Sequence, residues 1–369
     1  MSALNRLGLE NIVCTYHHGR DVPDIETQRI SPINRYRNTD AGPNPAKYFA
    51  DIKLLLLVVR SVRRFRPDVI HGHLHEGVLI GWLGRLLAFR WKTTLVADIQ
   101  GSLVGELQTF NYFGRSRVLL MIFWVIEYLI VRLPQHIFCS SAMSSKLLHS
   151  KFRIPDEKIT LIHDAVELEM FEDSELPVMT LPTSEQDVVV IYTGSLLPGK
   201  GLSELCAILS RLLMRRSDVH ALVVGYPTEV VAEQLAGPIS EGRVTLTGRV
   251  SYTELPHYLA AADIALEPKD ADSGEASGKV IHYMAAGLPV VGFDTQNNRA
   301  LIGNDGSLAR RGSIDDFVRH VELLADDAEL RHARGAAARH KIEQGMSWEQ
   351  GGRSIYAVLD DLVLPAKQQ

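Results

Sequence analysis

Cysteine is scarce: Cys14, Cys139 and Cys206 are the only three in 369 residues, and none forms a CxxC pair. That spacing argues against a disulfide framework or a cysteine metal site and fits a reducing compartment. Repeats, heptads and low-complexity tracts are absent too, which excludes solenoids and coiled coils. No apolar run reaches the about twenty residues needed to cross a bilayer. The strongest candidate, VLLMIFWVIEYLIV at 118–131, is shorter and contains Glu127, so it reads as a buried helix. Residues 1–11 lack the basic start and apolar core of an export signal. Positive charge is not in excess either, and a net charge of −5 argues against a general nucleic-acid binder.

What is present is a globular composition, 46% hydrophobic and 22% charged, on a chain longer than one core usually serves. Two domains are expected. Residues 1–175 carry 21 Lys and Arg against 19 Asp and Glu, and the rest 18 against 25, near +2 and −7. Strand-like runs at 11–16, 68–71, 93–98, 136–140 and 158–163 alternate with helical stretches at 46–66, 77–89, 115–132 and 142–152, the pattern of a parallel sheet covered by helices. A segment rich in Glu, Pro, Ser and Thr at 172–186 breaks that rhythm as a linker would. Strands resume at 187–193, 219–224, 244–247, 263–267 and 288–293. After Gly201, Leu202, Leu205, Cys206, Leu209 and Leu212 repeat at helical spacing. The expected class is α/β, two doubly wound domains facing a cleft, divided at 1–175 and 176–346. A closing helix at 347–369 carries Trp348, Ile355, Val358, Leu359 and Leu362 on one period and should dock.

Ligands of such sheets bind beyond the carboxyl ends of strands, so the loops there hold the candidate chemistry. In EASGKVIHYMAAGLPVV, 275–291, the small residues Ala276, Ser277 and Gly278 precede a helix start that offers unpaired N–H groups, a positive dipole end and Lys279 to an anion. Gly287 suits the left-handed position that ends a helix. The same segment also reads as an ordinary helix–turn–strand unit. GSLLPGKG, 194–201, nearly spells a nucleoside-triphosphate loop, but Gly201 stands where a magnesium-binding hydroxyl is required. What survives is a metal-free diphosphate clamp with Lys200 at a helix start, beside the plainer reading of an exposed loop lysine.

In DVIHGHLHEG, 68–77, three histidines alternate, yet the chain turns after His73, so a metal site is not expected. A polar contact or proton handler at the strand end and a half-buried hydrogen-bonded histidine are both open readings for each of them. DIQGS, 98–102, offers a carboxylate, an amide and a glycine at another strand end; Asp98 reads equally as a cap for the next segment. Arg60, Arg63, Arg64 and Arg66 follow the apolar run 54–59. Two readings stand for them: contact with anionic lipid headgroups and the solvated end of a packed helix.

Taken in order, PDVIHGH, ADIQGS, KITLIHDAVELEMF, YTGSLLPGKG, RVTLTGRVSYTELPHYLAAADIALEP and YMAAGLPVVGFD resemble the retaining nucleotide-sugar-dependent glycosyltransferases of family 4, which have the GT-B fold. The resemblance covers almost the whole chain. It implies acceptor binding by 1–175, nucleotide-sugar binding by 176–346, and a last helix that crosses back to the first domain. It implies Gly194, Ser195, Lys200 and Gly201 at the donor diphosphate, Gly248, Arg249 and Val250 beside the base, and Ser277, Gly278, Lys279 and His282 along the donor-facing helix. His73, Lys200 and Glu275 would be the catalytic set, with Asp98, Gln100 and Gly101 on the acceptor side. Neither cofactor nor metal is implied, the nucleotide sugar being a co-substrate. Partners would be that sugar nucleotide and a carbohydrate or lipid-linked acceptor, at a cytoplasmic location, with the lipid reading of the arginines adding peripheral contact with an anionic membrane.

Two departures qualify it. Many members carry paired glutamates with seven residues between them; here His282 fills the second place, Gly274 the first, and Glu275 is one place off. Near Met1 the family's first strand, its glycine-rich loop and most of the first helix are expected to be missing. A binding-only protein and a sugar-nucleotide epimerase are the alternative functions.

Overall fold

The computed structural model describes residues 1–369 except 20, 23, 34–44, 110–111, 172–178, 185, 271–276, 304–305 and 368–369. The chain divides into two compact units. Among the described residues, unit 1 is Met1–His163 with 349–367, and unit 2 is 164–270 with Ser277–Trp348.

Unit 1 contains β1 (Ile12–Thr15), β2 (Glu26–Arg29), β3 (Val69–His73), β4 (Thr94–Asp98), β5 (His136–Cys139) and β6 (Ile159–Leu161). All pairings are parallel: β3-β4-β5-β6 form one sheet and β1-β2 a separate pair. Parallel strands need cover on both faces. Helices Ala46–Phe65, Leu74–Leu87, Arg117–Ile130 and Ala142–Phe152 alternate with the strands, while Ile355, Val358, Leu359 and Leu362 of the last helix, Trp348–Lys367, pack with Val96 and Phe138. Strand β2 reads ETQR and carries no apolar signal, which is why sequence patterning passes over it.

One expectation is overturned. The helix Arg117–Ile130 is not buried: only Glu127 and Ile130 are, while Val118 is 65% and Met121 61% exposed. An apolar surface all round a helix normally means burial. Here a buried carboxylate fixes which edge turns inward, and the opposite flank stays in contact with solvent.

Unit 2 is a six-stranded parallel sheet in the order β12-β11-β10-β7-β8-β9, built from β7 (Val188–Thr193), β8 (Val219–Val224), β9 (Val244–Leu246), β10 (Ile264–Glu267), β11 (Val290–Phe293) and β12 (Ser307–Ala309). Alternate residues of β7 serve opposite faces, as the period of two requires. Val188, Val190 and Tyr192 meet the apolar face of helix Leu202–Arg215, while Val189 and Ile191 join Tyr283 and Met284 of helix Gly278–Ala285. Leu205, Leu209 and Leu212 are essentially inaccessible, and each buried leucine contributes about 2 kcal/mol.

Candidate active site

Strand order in unit 2 reverses at β7, with β8 and β9 to one side and β10 to β12 to the other. Loops leaving the carboxyl ends of β7 and β10 therefore diverge, the place where open parallel sheets take ligands. The loop after β7 is Gly194–Gly201 of the sequence motif. Gly194 has φ +128° and Gly201 φ +85°, both costly for a residue with a Cβ. A Cβ on Gly201 would stand 2.8 Å from the backbone of Pro268 and Lys269, so glycine lets this loop lie on the end of β10. The amides of Gly194 and Leu196 donate to the carbonyls of Val224 and Tyr226 at 2.9 and 3.1 Å, fixing the loop against β8. Its last turn, Pro198–Lys200, leads directly into helix Leu202–Arg215.

Around Tyr192 the glycine loop and the helix that starts at Gly278 meet. Lys279 Nζ lies 4.3 Å from the centre of its ring, a cation–π contact. Burial and the Glu267 charge raise the tyrosine's pKa while Lys200 works in the opposite direction, so both lysines act on one side chain. Glu267, at the end of β10 and 1% exposed, accepts a hydrogen bond from Ser277 Oγ at 2.8 Å and pairs with Lys279 Nζ at 3.2 Å. Lys279 is thus charge-balanced rather than a bare cation at the helix start. Ser277 turns its hydroxyl toward Glu267, and the helix beginning at Gly278 has no side-chain cap. Tyr283 Oη accepts from Thr193 N at 2.7 Å and from Thr193 Oγ1 at 3.1 Å, tying this helix to the last residue before the glycine loop. Gly287 takes φ +73° just past the helix, as expected of it.

His282 and the 248–250 loop converge on aromatic rings. His282 Nδ1 is 2.7 Å from the Gly278 carbonyl and must carry a proton there, so Nε2 accepts from Tyr252 Oη at 3.0 Å. Burial lowers the His282 pKa, with the carbonyl opposing, which favours this neutral form. Arg249 stands over the Tyr226 ring at 5.5 Å. Gly248 has φ +72° with open space at its Cβ position, whereas Val250 packs against the core.

In unit 1, parallel register sets His73 beside Asp98. His73 Nδ1 donates to Asp98 Oδ2 at 3.1 Å, and Gln100 Nε2 reaches the same oxygen at 3.5 Å. His73 is 61% exposed and is the N-cap residue of helix Leu74–Leu87, which begins earlier than residue 77 through a left-handed Leu74, φ 59°. His71 stacks on His73 at 4.6 Å; burial and His73 lower its pKa to about 3 despite Asp98. His75 turns elsewhere, its Nε2 3.5 Å from the buried Glu127.

The Asp98 cap reading is corrected, because Glu127 does that work: it accepts from Leu103 N, Val104 N and Ser102 Oγ at 2.9, 3.0 and 3.2 Å. Gly101 lies half-buried between these groups, with open space at its Cβ position. Glu275 falls outside the described residues. Sequence reading missed Glu267, Tyr192, Tyr252 and Tyr283; the available signals were a carboxylate closing an apolar strand and the tyrosine of YMAAG.

Residues 1–165 match the family model described as a glycosyl transferase 4-like domain, and residues 187–327 match that of glycosyl transferases group 1. The chain is similar to the GDP-mannose-dependent monoacylated alpha-(1-6)-phosphatidylinositol monomannoside mannosyltransferase of Corynebacterium glutamicum, 29% identical over 195 residues. That match spans 51% of this chain and 51% of that protein, about half of each. In three dimensions it is similar to sucrose-phosphate synthase of Thermosynechococcus elongatus, with TM-score 0.73, 15% identity and coverage of 98% and 90%. HepE of Anabaena, solved with UDP-glucose, gives TM-score 0.69, 16% identity and coverage of 91% and 86%. At these identities the likeness shows the fold alone, and the fold is GT-B.

Proposed function

We propose, from a glycosyl transferase 4-like match at 1–165 followed by a group 1 match at 187–327, a retaining glycosyltransferase that moves a hexose-type sugar from a nucleoside diphosphate to a hydroxyl acceptor without a metal ion. The observation that carries the proposal is the meeting of the glycine loop and the helix starting at Gly278 at Tyr192, whose Oη donates to the Ser195 carbonyl at 3.0 Å and whose ring lies 4.3 Å from Lys279 Nζ, at the strand-order switch of unit 2. Breaking the sugar–phosphate bond leaves negative charge on the diphosphate. Lys200, the N–H groups of the helix starting at Gly278 and the glycine loop would stabilise it as it develops. Lys279, held by Glu267, would shape that helix start more than charge it. The rings of Tyr226 and Tyr252 suit the base, and a neutral His282 replaces the carboxylate that would grip a ribose diol.

Unit 1 would serve the acceptor through Asp98, Gln100 and Gly101. With Nδ1 bonded to Asp98, His73 leaves Nε2 to meet a sugar hydroxyl. Glu275 remains a proposed sugar contact by family resemblance. The acceptor would be a carbohydrate or a lipid-linked one, the second supported by the lipid named as substrate of the corynebacterial relative. The setting would be cytoplasmic, in cell-surface polysaccharide or glycolipid synthesis, with peripheral contact at the inner face of the membrane.

A panel of nucleotide sugars, assayed for diphosphate release with soluble and lipid-linked acceptors, tests this reading. With the best donor, Lys200→Ala should lower kcat by roughly a hundredfold or more with a smaller change in KM. An unchanged kcat sinks the assignment. Altered sugar nucleotide without acceptor would indicate an epimerase, and donor binding without release a binding protein.

A further inference from the structure

Most of the large apolar side chains that unit 1 exposes lie on three helices and the turn that follows one of them. Helices Ala46–Phe65, Leu74–Leu87 and Arg117–Ile130 pack side by side. On the first, Tyr48, Phe49, Ile52 and Leu56 lie on one side and are 58–69% exposed. On the last, Met121, Ile122, Val125 and Leu129 repeat at helical spacing and are 45–61% exposed. The turn after the middle helix adds Phe89 and Trp91, at 73% and 64%. Single exposed apolar residues need no explanation, but an extended group on adjoining helices marks an interaction face.

Charge selects the partner. Segments 46–66, 74–92 and 112–132 hold twelve Lys and Arg but only three carboxylates, Asp51, Glu76 and Glu127, and Glu76 pairs with Lys47. Asp51 accepts a hydrogen bond from Tyr16, and Glu127 is turned inward. Arg60, Arg64, Arg66, Arg90 and Lys92 are exposed and form no ion pair among the described residues. A second copy of the chain on this face would oppose like charges, whereas anionic headgroups would neutralise them.

We propose that this layer docks the protein on an anionic lipid bilayer. The aromatic and aliphatic side chains enter the boundary between headgroups and acyl chains, and the five cations sit among the phosphates. The helices lie in the interface: among the described residues, none is long and apolar enough to cross a membrane. Placement at the surface where a lipid-linked acceptor resides rests on the glycosyltransferase reading, but the docking itself does not.

Flotation of the purified chain with vesicles, without donor or acceptor, separates the two. Vesicles of phosphatidylcholine mixed with phosphatidylglycerol should carry the protein, phosphatidylcholine alone should not, and salt should weaken binding. Met121→Glu with Val125→Glu should abolish binding. Arg60→Gln with Arg64→Gln should weaken it about fivefold per cation removed. All four positions are exposed, so unchanged thermal melting checks that the variants fold, and the arginine pair carries the test if the first pair does not. Equal binding to both vesicle types, no binding by the wild type, or a dimer that the glutamate variant dissociates would each overturn the proposal. Docking without sugar transfer would count against the catalytic reading alone.

Discussion

A carboxylate at 1% exposure has lost its hydration, and only close partners offset that. Glu267 has two, Ser277 at 2.8 Å and Lys279 at 3.2 Å, so removing one member of the Glu267–Lys279 pair leaves the other charge uncompensated, a cost that removing both members avoids. Lys279→Met should lower stability by about 3 kcal/mol by stranding the carboxylate, and Glu267→Gln by a similar amount by stranding the ammonium. The double variant should lose less than the sum of the two, measured by urea unfolding. Strict additivity would show that the pair is not coupled. These residues lie on either side of 271–276, and nothing in the spacing of a strand-end glutamate and a helix-start lysine reveals that they meet. By sequence Lys279 is an extra positive charge at the helix start, but a strand end elsewhere in the chain supplies its counter-charge.

At the scale of elements, helix Gly278–Ala285 and strand β7 behave as one piece because Tyr283 bridges them. Its hydroxyl is the acceptor for both Thr193 N and Thr193 Oγ1, one residue before the loop that carries Lys200. Tyr283→Phe keeps the ring in its apolar site and leaves a buried amide without this acceptor, a loss of about 1–3 kcal/mol. If the glycine loop holds the donor, KM for the nucleotide sugar should rise as well; a stability loss with unchanged KM would confine Tyr283 to the core. Strands and helices with strong periodicity were legible in this way: the helix after Gly201 buries the leucines that its spacing indicated, and Gly287 ends its helix with positive φ. The direction faced by Arg117–Ile130 was not legible, because a helix apolar nearly all round contains no preference for one side. Glu127 decided it, through bonds to Leu103 and Val104 that local spacing does not encode.

For the molecule as a whole, acid should be destabilising in both units, because each holds histidines whose neutral form the fold prefers. In unit 1, His71 is held at about 3 by burial and His73, against Asp98 and with a small contribution from the terminal amine; His136, bonded to Thr160 across β5 and β6, is lowered by burial. In unit 2, burial lowers His220, which bonds Thr245 across β8 and β9; Asp187 opposes the shift and Arg243 adds to it. Unfolding releases these rings to the ordinary range near 6.5, so below that pH the unfolded chain binds more protons and stability falls with pH. For His71 the fall runs from about pH 6.5 down to about 3, at about 1.4 kcal/mol per pH unit through most of that window. Glu127 acts in the same direction lower down: burial opposes its ionisation, but the adjacent His75 and the bonds from Val104 and Ser102 outweigh that and lower its pKa, so its contribution is present above the ordinary carboxylate range and disappears as pH falls through its depressed value. Urea unfolding measured from pH 7 to pH 5 should therefore show decreasing stability well before carboxylates titrate. His71→Gln should remove part of that slope while leaving the slope that unit 2 owes to His220. A variant with the wild-type slope would mean that His71 is protonated as readily in the folded chain as in the unfolded one.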